Sequence, residues 1–188
     1  MRAFIALDIP DEIKKKIAQI VSSLYSLPAK IKWVETKNLH LTIKFIPQID
    51  TSTVNALKER LKPIVAKTTR TCLTAKDISF LSHKGDIRLI YLKLEENQVV
   101  QEIVQKIELT ASSLTGIKEK RKPLLHITLG RIKHTYEKKK LKQILHSYKF
   151  NPFKWEVKEI TFFQSTLTPT GPIYQPLFKI KLARKGPD

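Results

Sequence analysis

Hydrophobic residues recur along this chain with two different periods, and the switching between them predicts a mixed α+β domain. Residues 2–8 (RAFIALD) read as a strand; Ile13, Ile17, Ile20, Val21 and Leu24 then share one face of a helix that Pro28 stops. Residues 32–35 and 40–46 read as strands separated by a Thr36-Lys37-Asn38 turn, followed by a helix carrying Val54, Leu57, Leu61 and Ile64 with Pro63 near its end. Two strands near 76–81 and 87–94 flank His83-Lys84-Gly85-Asp86.

The second half follows the same outline. Val100, Ile103, Val104, Ile107, Ala111 and Leu114 mark an amphipathic helix that Gly116 ends, and a basic loop runs to Pro123. Residues 124–132 read as a strand, 136–148 as a lysine-rich helix with Leu141, Ile144 and Leu145 inward, and 154–164 and 173–182 as closing strands. No linker divides the halves, so residues 1–188 are expected to form one compact unit of two related lobes with a mostly antiparallel sheet.

Within this pattern one tetrapeptide occurs twice, as His40-Leu41-Thr42-Ile43 and His126-Ile127-Thr128-Leu129, with the histidines 86 residues apart. Successive side chains of a strand point to opposite faces. Leu41, Ile43 and Phe45 are therefore expected in a core, with His40 and Thr42 on the other face; Ile127 and Leu129 are expected inward, with His126 and Thr128 presented. The same alternation turns Arg131 away from His126.

Composition narrows the partner. Lys and Arg number 35 against 17 Asp and Glu, a formal charge of +18, which favours a polyanion such as nucleic acid. The cations are dispersed apart from Lys138-Lys139-Lys140, expected to be a solvated face. A single cysteine, Cys72, rules out an intramolecular disulfide and is expected in the core; it points to a reducing, cytoplasmic setting. No run approaches the ~18 apolar residues of a membrane span, so a soluble protein is expected, and nothing demands more than a monomer.

Two imidazoles and two hydroxyls on the polar faces of two strands suit hydrolysis of a cyclic phosphodiester without metal. One histidine takes a proton from water and the other protonates the departing oxygen, each transfer being worth ~10²–10⁴-fold in rate. Threonine hydroxyls donate to the non-bridging oxygens, and a lysine or arginine nearby would stabilise the added charge; Arg131 is a candidate for this although strict alternation points it away from His126. Competing chemistries lack their motifs: HExxH, the P-loop and G-x-S-x-G are absent, and five glycines provide no dinucleotide loop. His83, His134 and His146 read as turn or surface residues; Trp33, Phe45 and Tyr174 could stack on a base, although core packing is the commoner fate of such rings.

Beyond these readings, the chain resembles the 2H phosphoesterase superfamily, specifically the LigT-like RNA 2′,3′-cyclic phosphodiesterases also called 2′-5′ RNA ligases. The resemblance rests on RAFIALDIPDEI at the start, Trp33-Val34 through Asn38-Leu39-His40-Leu41-Thr42-Ile43-Lys44-Phe45, His126-Ile127-Thr128-Leu129-Gly130-Arg131, and Ser165-Thr166-Leu167-Thr168-Pro169-Thr170-Gly171-Pro172-Ile173-Tyr174. It implies a bilobal α+β fold of two mostly antiparallel sheets, helices outside and a central basic cleft. It also implies hydrolysis of an RNA terminal 2′,3′-cyclic phosphate to a 2′-phosphate with no cofactor. By the same resemblance His40 is the proton donor, His126 the proton acceptor, and Thr42 and Thr128 bind phosphate. Two departures, Pro47 in place of a glycine and Leu125 in place of a proline, flank these pairs and bear on loop shape and substrate range. Ligation to a 2′-5′ bond and non-catalytic RNA binding are the alternatives.

Overall fold

A computed structural model describes residues 1–118 and 124–184; residues 119–123 of the expected basic loop, Pro123 among them, lie outside the described residues. The described residues form nine strands and four α-helices: β1 (Ala3–Leu7), α1 (Asp11–Ser23), β2 (Ala29–Trp33), β3 (Leu41–Ile46), α2 (Thr51–Ala66), β4 (Thr71–His83), β5 (Asp86–Leu94), α3 (Gln98–Thr115), β6 (His126–Thr135), α4 (Lys138–Ser147), β7 (Phe153–Val157), β8 (Glu159–Leu167) and β9 (Pro172–Lys181). Among them no helix is long and apolar enough to cross a membrane.

Each helix follows from its pattern and its ends. In α1, Ile13, Ile17, Ile20 and Val21 are buried on one stripe, and Asp11 and Glu12 in the first turn oppose the positive end of the helix dipole. The Asp50 carboxylate accepts from the Thr53 amide at 2.7 Å to cap α2. Bonds from Ser52 and Thr53 hold its pKa at about 2. Asn97 caps α3 and also donates to the Cys72 carbonyl, tying that helix to β4. Gly116 ends α3 in the left-handed region at φ 70°, which glycine adopts without a Cβ penalty.

The strands pair antiparallel in the order β7-β4-β5-β6-β3-β1-β8-β9, with β2 also on β6. The two antiparallel halves meet through one residue pair, Leu41 opposite Ile127 on β3 and β6. Beyond that pair β6 turns to β2, which lines up from Ala29–Thr135 to Trp33–Gly130. The neighbouring strands thus diverge around the start of β6 and open a cleft. Buried Leu41, Ile127 and Leu129 pin the opposite side, each worth about 1.5–3 kcal/mol and all lost to the core by a one-residue slip.

Several expectations are corrected. The run 154–164 is two strands divided at Lys158: β7 pairs with β4, while β8 pairs with β1 in the other half. No glycine or proline marks this break; tertiary pairing imposes it. The expected strand at 32–35 lies at Ala29–Trp33. Cys72 is exposed rather than in the core, because Leu73 and Ala75 take the inward positions on β4.

Candidate active site

Both histidine strands break their alternation at the same place. Between β1 and β3, Ile5 pairs with Lys44 but the next residue, Ala6, pairs with Thr42, leaving Ile43 as an extra residue. Between β5 and β6, Ile90 pairs with Gly130 but Tyr91 pairs with Thr128, leaving Leu129 extra. Each β-bulge therefore lies three residues past its histidine. A bulge re-aims every side chain beyond it. Two sequence-based expectations fail for this reason. Phe45, expected in the core, is 40% exposed, and Arg131, expected to point away from His126, is exposed on the same cleft wall.

The residue before each re-aimed side chain shows how the bulge is held. Lys44 turns inward, with its side chain 2% exposed, and its Nζ reaches Glu108 Oε1 and the Ile117 carbonyl, each at 2.8 Å. At the matching position Gly130 lies beneath Ile31 and Trp33. A Cβ there would meet Ile31 Cγ2 at 2.7 Å and Trp33 Cε3 at 2.8 Å, so glycine is required for close approach rather than for an unusual φ.

The two histidines are oriented by identical bonds. His40 Nδ1 lies 2.6 Å from the Asn38 carbonyl, and His126 Nδ1 lies 2.6 Å from the Leu124 carbonyl. A carbonyl only accepts, so each Nδ1 carries the hydrogen and each Nε2 is left outside that bond. Asn38 is a positioning residue that its place in a sequence turn did not reveal. It is buried, and its Nδ2 donates to the Pro172 carbonyl at 3.2 Å, which fixes the carbonyl that holds His40.

The surroundings of the pair differ. The His40 ring packs against Phe4 (centroids 4.7 Å apart) and Tyr174 (5.2 Å), whereas His126 meets Tyr91 at 5.2 Å. Burial pushes the His40 pKa below its ordinary 6.5; the bond to Asn38 opposes this, and the charges of Lys14 and His126 add to it. Burial also raises the Tyr174 hydroxyl, against the pull of Arg131 and Arg2.

His40, Thr42, His126, Thr128 and Arg131 line a single cleft of about 730 Å³. The Leu41–Ile127 pairing turns Thr42 toward His126 and Thr128 toward His40. The β8–β9 hairpin walls the cleft with Ser165, Leu167 and Tyr174, and Lys32 Nζ reaches its Thr170 carbonyl at 3.5 Å. Trp33, Phe45 and Tyr174 all face this space, Phe45 beneath the Arg2 guanidinium at 4.6 Å. Arg2, Lys32 and Lys133 add charge the sequence reading had not singled out. The signals were the interior Gly130 and the adjacent Phe45-Ile46, which cannot both face inward on a regular strand. His83, His134 and His146 lie outside the cleft, and Lys138 and Lys140 are exposed in pairs with Asp86 and Glu137. Among the described residues no group of three or more His, Cys, Asp or Glu is gathered to hold a metal ion.

A basic cleft at the junction of two antiparallel halves, floored by paired imidazoles and hydroxyls, is suited to a phosphate ester. The sequence profile of the LigT like phosphoesterase family matches the chain twice, at residues 7–91 and 92–174, and the chain belongs to that family. A Methanocaldococcus jannaschii protein named RNA 2′,3′-cyclic phosphodiesterase is 36% identical over 179 residues, 93% of this chain and 97% of the relative. A Thermotoga maritima protein of the same name is 30% identical, over 95% of this chain and 94% of its own. The crystal structure of E. coli LigT complexed with 3′-AMP shares the fold with a TM-score of 0.78 at 22% identity, covering 96% of this chain and 97% of that one.

Proposed function

We propose that this protein hydrolyses RNA terminal 2′,3′-cyclic phosphates to 2′-phosphates, its two halves acting as lobes that face each other across the cleft. The similarity to proteins named for this activity supports the substrate class. The observation that carries the mechanism is the repeated restraint of the histidines, each with Nδ1 bonded to a carbonyl two residues upstream and Nε2 unbonded among the described residues.

In this reading His126 Nε2 takes a proton from water as the water oxygen attacks phosphorus. The bond from phosphorus to the 3′ oxygen breaks, and His40 Nε2–H protonates that oxygen, leaving a 2′-phosphate and a free 3′-hydroxyl. Thr42 and Thr128 donate to the non-bridging oxygens, and Arg131 stabilises the negative charge that builds on them. The burial that lowers the His40 pKa makes its imidazolium a stronger acid, while the bound phosphate anion favours its charged form. These groups supply both proton transfers and the charge stabilisation, so the reaction is assigned no metal.

Phosphorus NMR of a short RNA ending in 2′,3′-cyclic phosphate, incubated with the protein in EDTA, tests this. Conversion to a 2′-phosphate is expected. An unchanged cyclic signal from folded, RNA-bound protein would overturn hydrolysis in favour of a binding module, and a new 2′-5′ diester would show ligation instead.

A further inference from the structure

Four cations line the cleft, namely Arg2, Lys32, Arg131 and Lys133, against one carboxylate, Glu35, which Lys37 already holds at 2.8 Å. Some lysines elsewhere on the surface pair with acids: Lys138 with Asp86, Lys149 with Asp77, Lys179 with Asp8 and Glu159. Lys32, Arg131 and Lys133 have no carboxylate partner among the described residues. Lys32 nevertheless stands directly opposite Arg131 in the β2–β6 ladder, with Lys133 two residues farther along β6. Like charges directly opposite each other destabilise a sheet. This arrangement is therefore suited to an anion lying over it.

Its position relative to the histidines identifies the anion. The Leu129 bulge makes Arg131 the next cleft-facing side chain along β6 beyond Thr128, and Lys133 the one after, at a rise of ~3.3 Å per residue. Arg131, with Lys32 opposite it, thus lies beyond Thr128 on the side away from His126, and Lys133 lies farther along the same strand, so both lysines stand on that side of a phosphate held between the histidines. We propose that Lys32 and Lys133 form a second phosphate subsite, which takes the phosphate on the 5′ oxygen of the terminal nucleotide. The inference rests on the hydrolytic reading above and deepens it. The preferred substrate carries a 5′ phosphate, as every RNA chain longer than one nucleotide does at its terminal residue. A cyclic nucleotide with a free 5′-hydroxyl fills only half of the site.

The test compares adenosine 2′,3′-cyclic phosphate with its 5′-phosphorylated form, which differ only in the group the subsite would bind. The wild-type protein is expected to show a kcat/KM about tenfold or more higher for the 5′-phosphorylated compound, the worth of a charge-assisted contact. Lys32→Ala and Lys133→Ala should each lower that preference, and the double variant should bring it close to unity. The thermal unfolding transition of each variant should be retained and so report intact folding, and Lys32→Arg should keep the preference. Equal kcat/KM for the two compounds in the wild type, or a preference surviving in the double variant, overturns the subsite. If neither compound is turned over, hydrolysis fails as the reading. The subsite is then decided by binding: tighter binding of the 5′-phosphorylated compound supports it, and equal binding overturns it.

Discussion

His40 and His126 are held by the same bond but sit in different media, and that difference gives each a measurable signature. Phe4 and Tyr174 desolvate His40 and lower its pKa. A proton donor must be protonated to act, so kcat/KM should fall as pH rises through the lowered His40 pKa. The alkaline limb is then expected below 6.5, and Phe4→Leu, which thins the aromatic wall, should move that limb upward in a pH–rate profile. An alkaline limb above 6.5 in the wild type would contradict His40 as donor. The roles also separate by leaving group. A substrate with sulfur in place of the 3′ oxygen departs without protonation, so the defect of His40→Ala should shrink on it while that of His126→Ala remains. Equal defects on both substrates would count against the assignment.

Each site strand carries a bulge, and the bulges explain why part of the site was legible in the sequence and part was not. His40, Thr42, His126 and Thr128 lie before the bulges, where period-two alternation holds, and that pattern put them correctly on one face. Phe45 and Arg131 lie after the bulges, where alternation gives the wrong face. The helices were legible because their apolar stripes and stop signals agree, as with Gly116 at the end of α3. The split at Lys158 was not, because only the partner strands distinguish β7 from β8. Gly130 offers a direct test of the β6 bulge. Gly130→Ala should force Ile31 and Trp33 aside and cost about 1–3 kcal/mol in a denaturant titration, with a shift in Trp fluorescence. Unchanged stability would mean that the packing over the bulge yields freely. At the start of α3, Asn97→Ala should cost about 1 kcal/mol by removing its cap, with activity retained.

For the whole molecule, the continuous sheet brings residues 86 positions apart in sequence to one cleft, through a single pairing between β3 and β6. The lobes meet where their strands diverge, so the space between them is open to a chain-like ligand. The cations on its walls are a small part of the +18 charge, gathered where the two halves of the sheet diverge. Composition alone predicted a polyanionic partner; only the fold located the cations that line the cleft. The central claim is that both histidines act on one phosphate as a proton-transfer pair. Its most direct test is the rate at which wild type, His40→Ala and His126→Ala convert an RNA 2′,3′-cyclic phosphate end, with thermal unfolding followed in parallel. The account predicts a loss of ~10²–10⁴-fold in each variant with the unfolding transition retained. Wild-type turnover in either well-folded variant would contradict it.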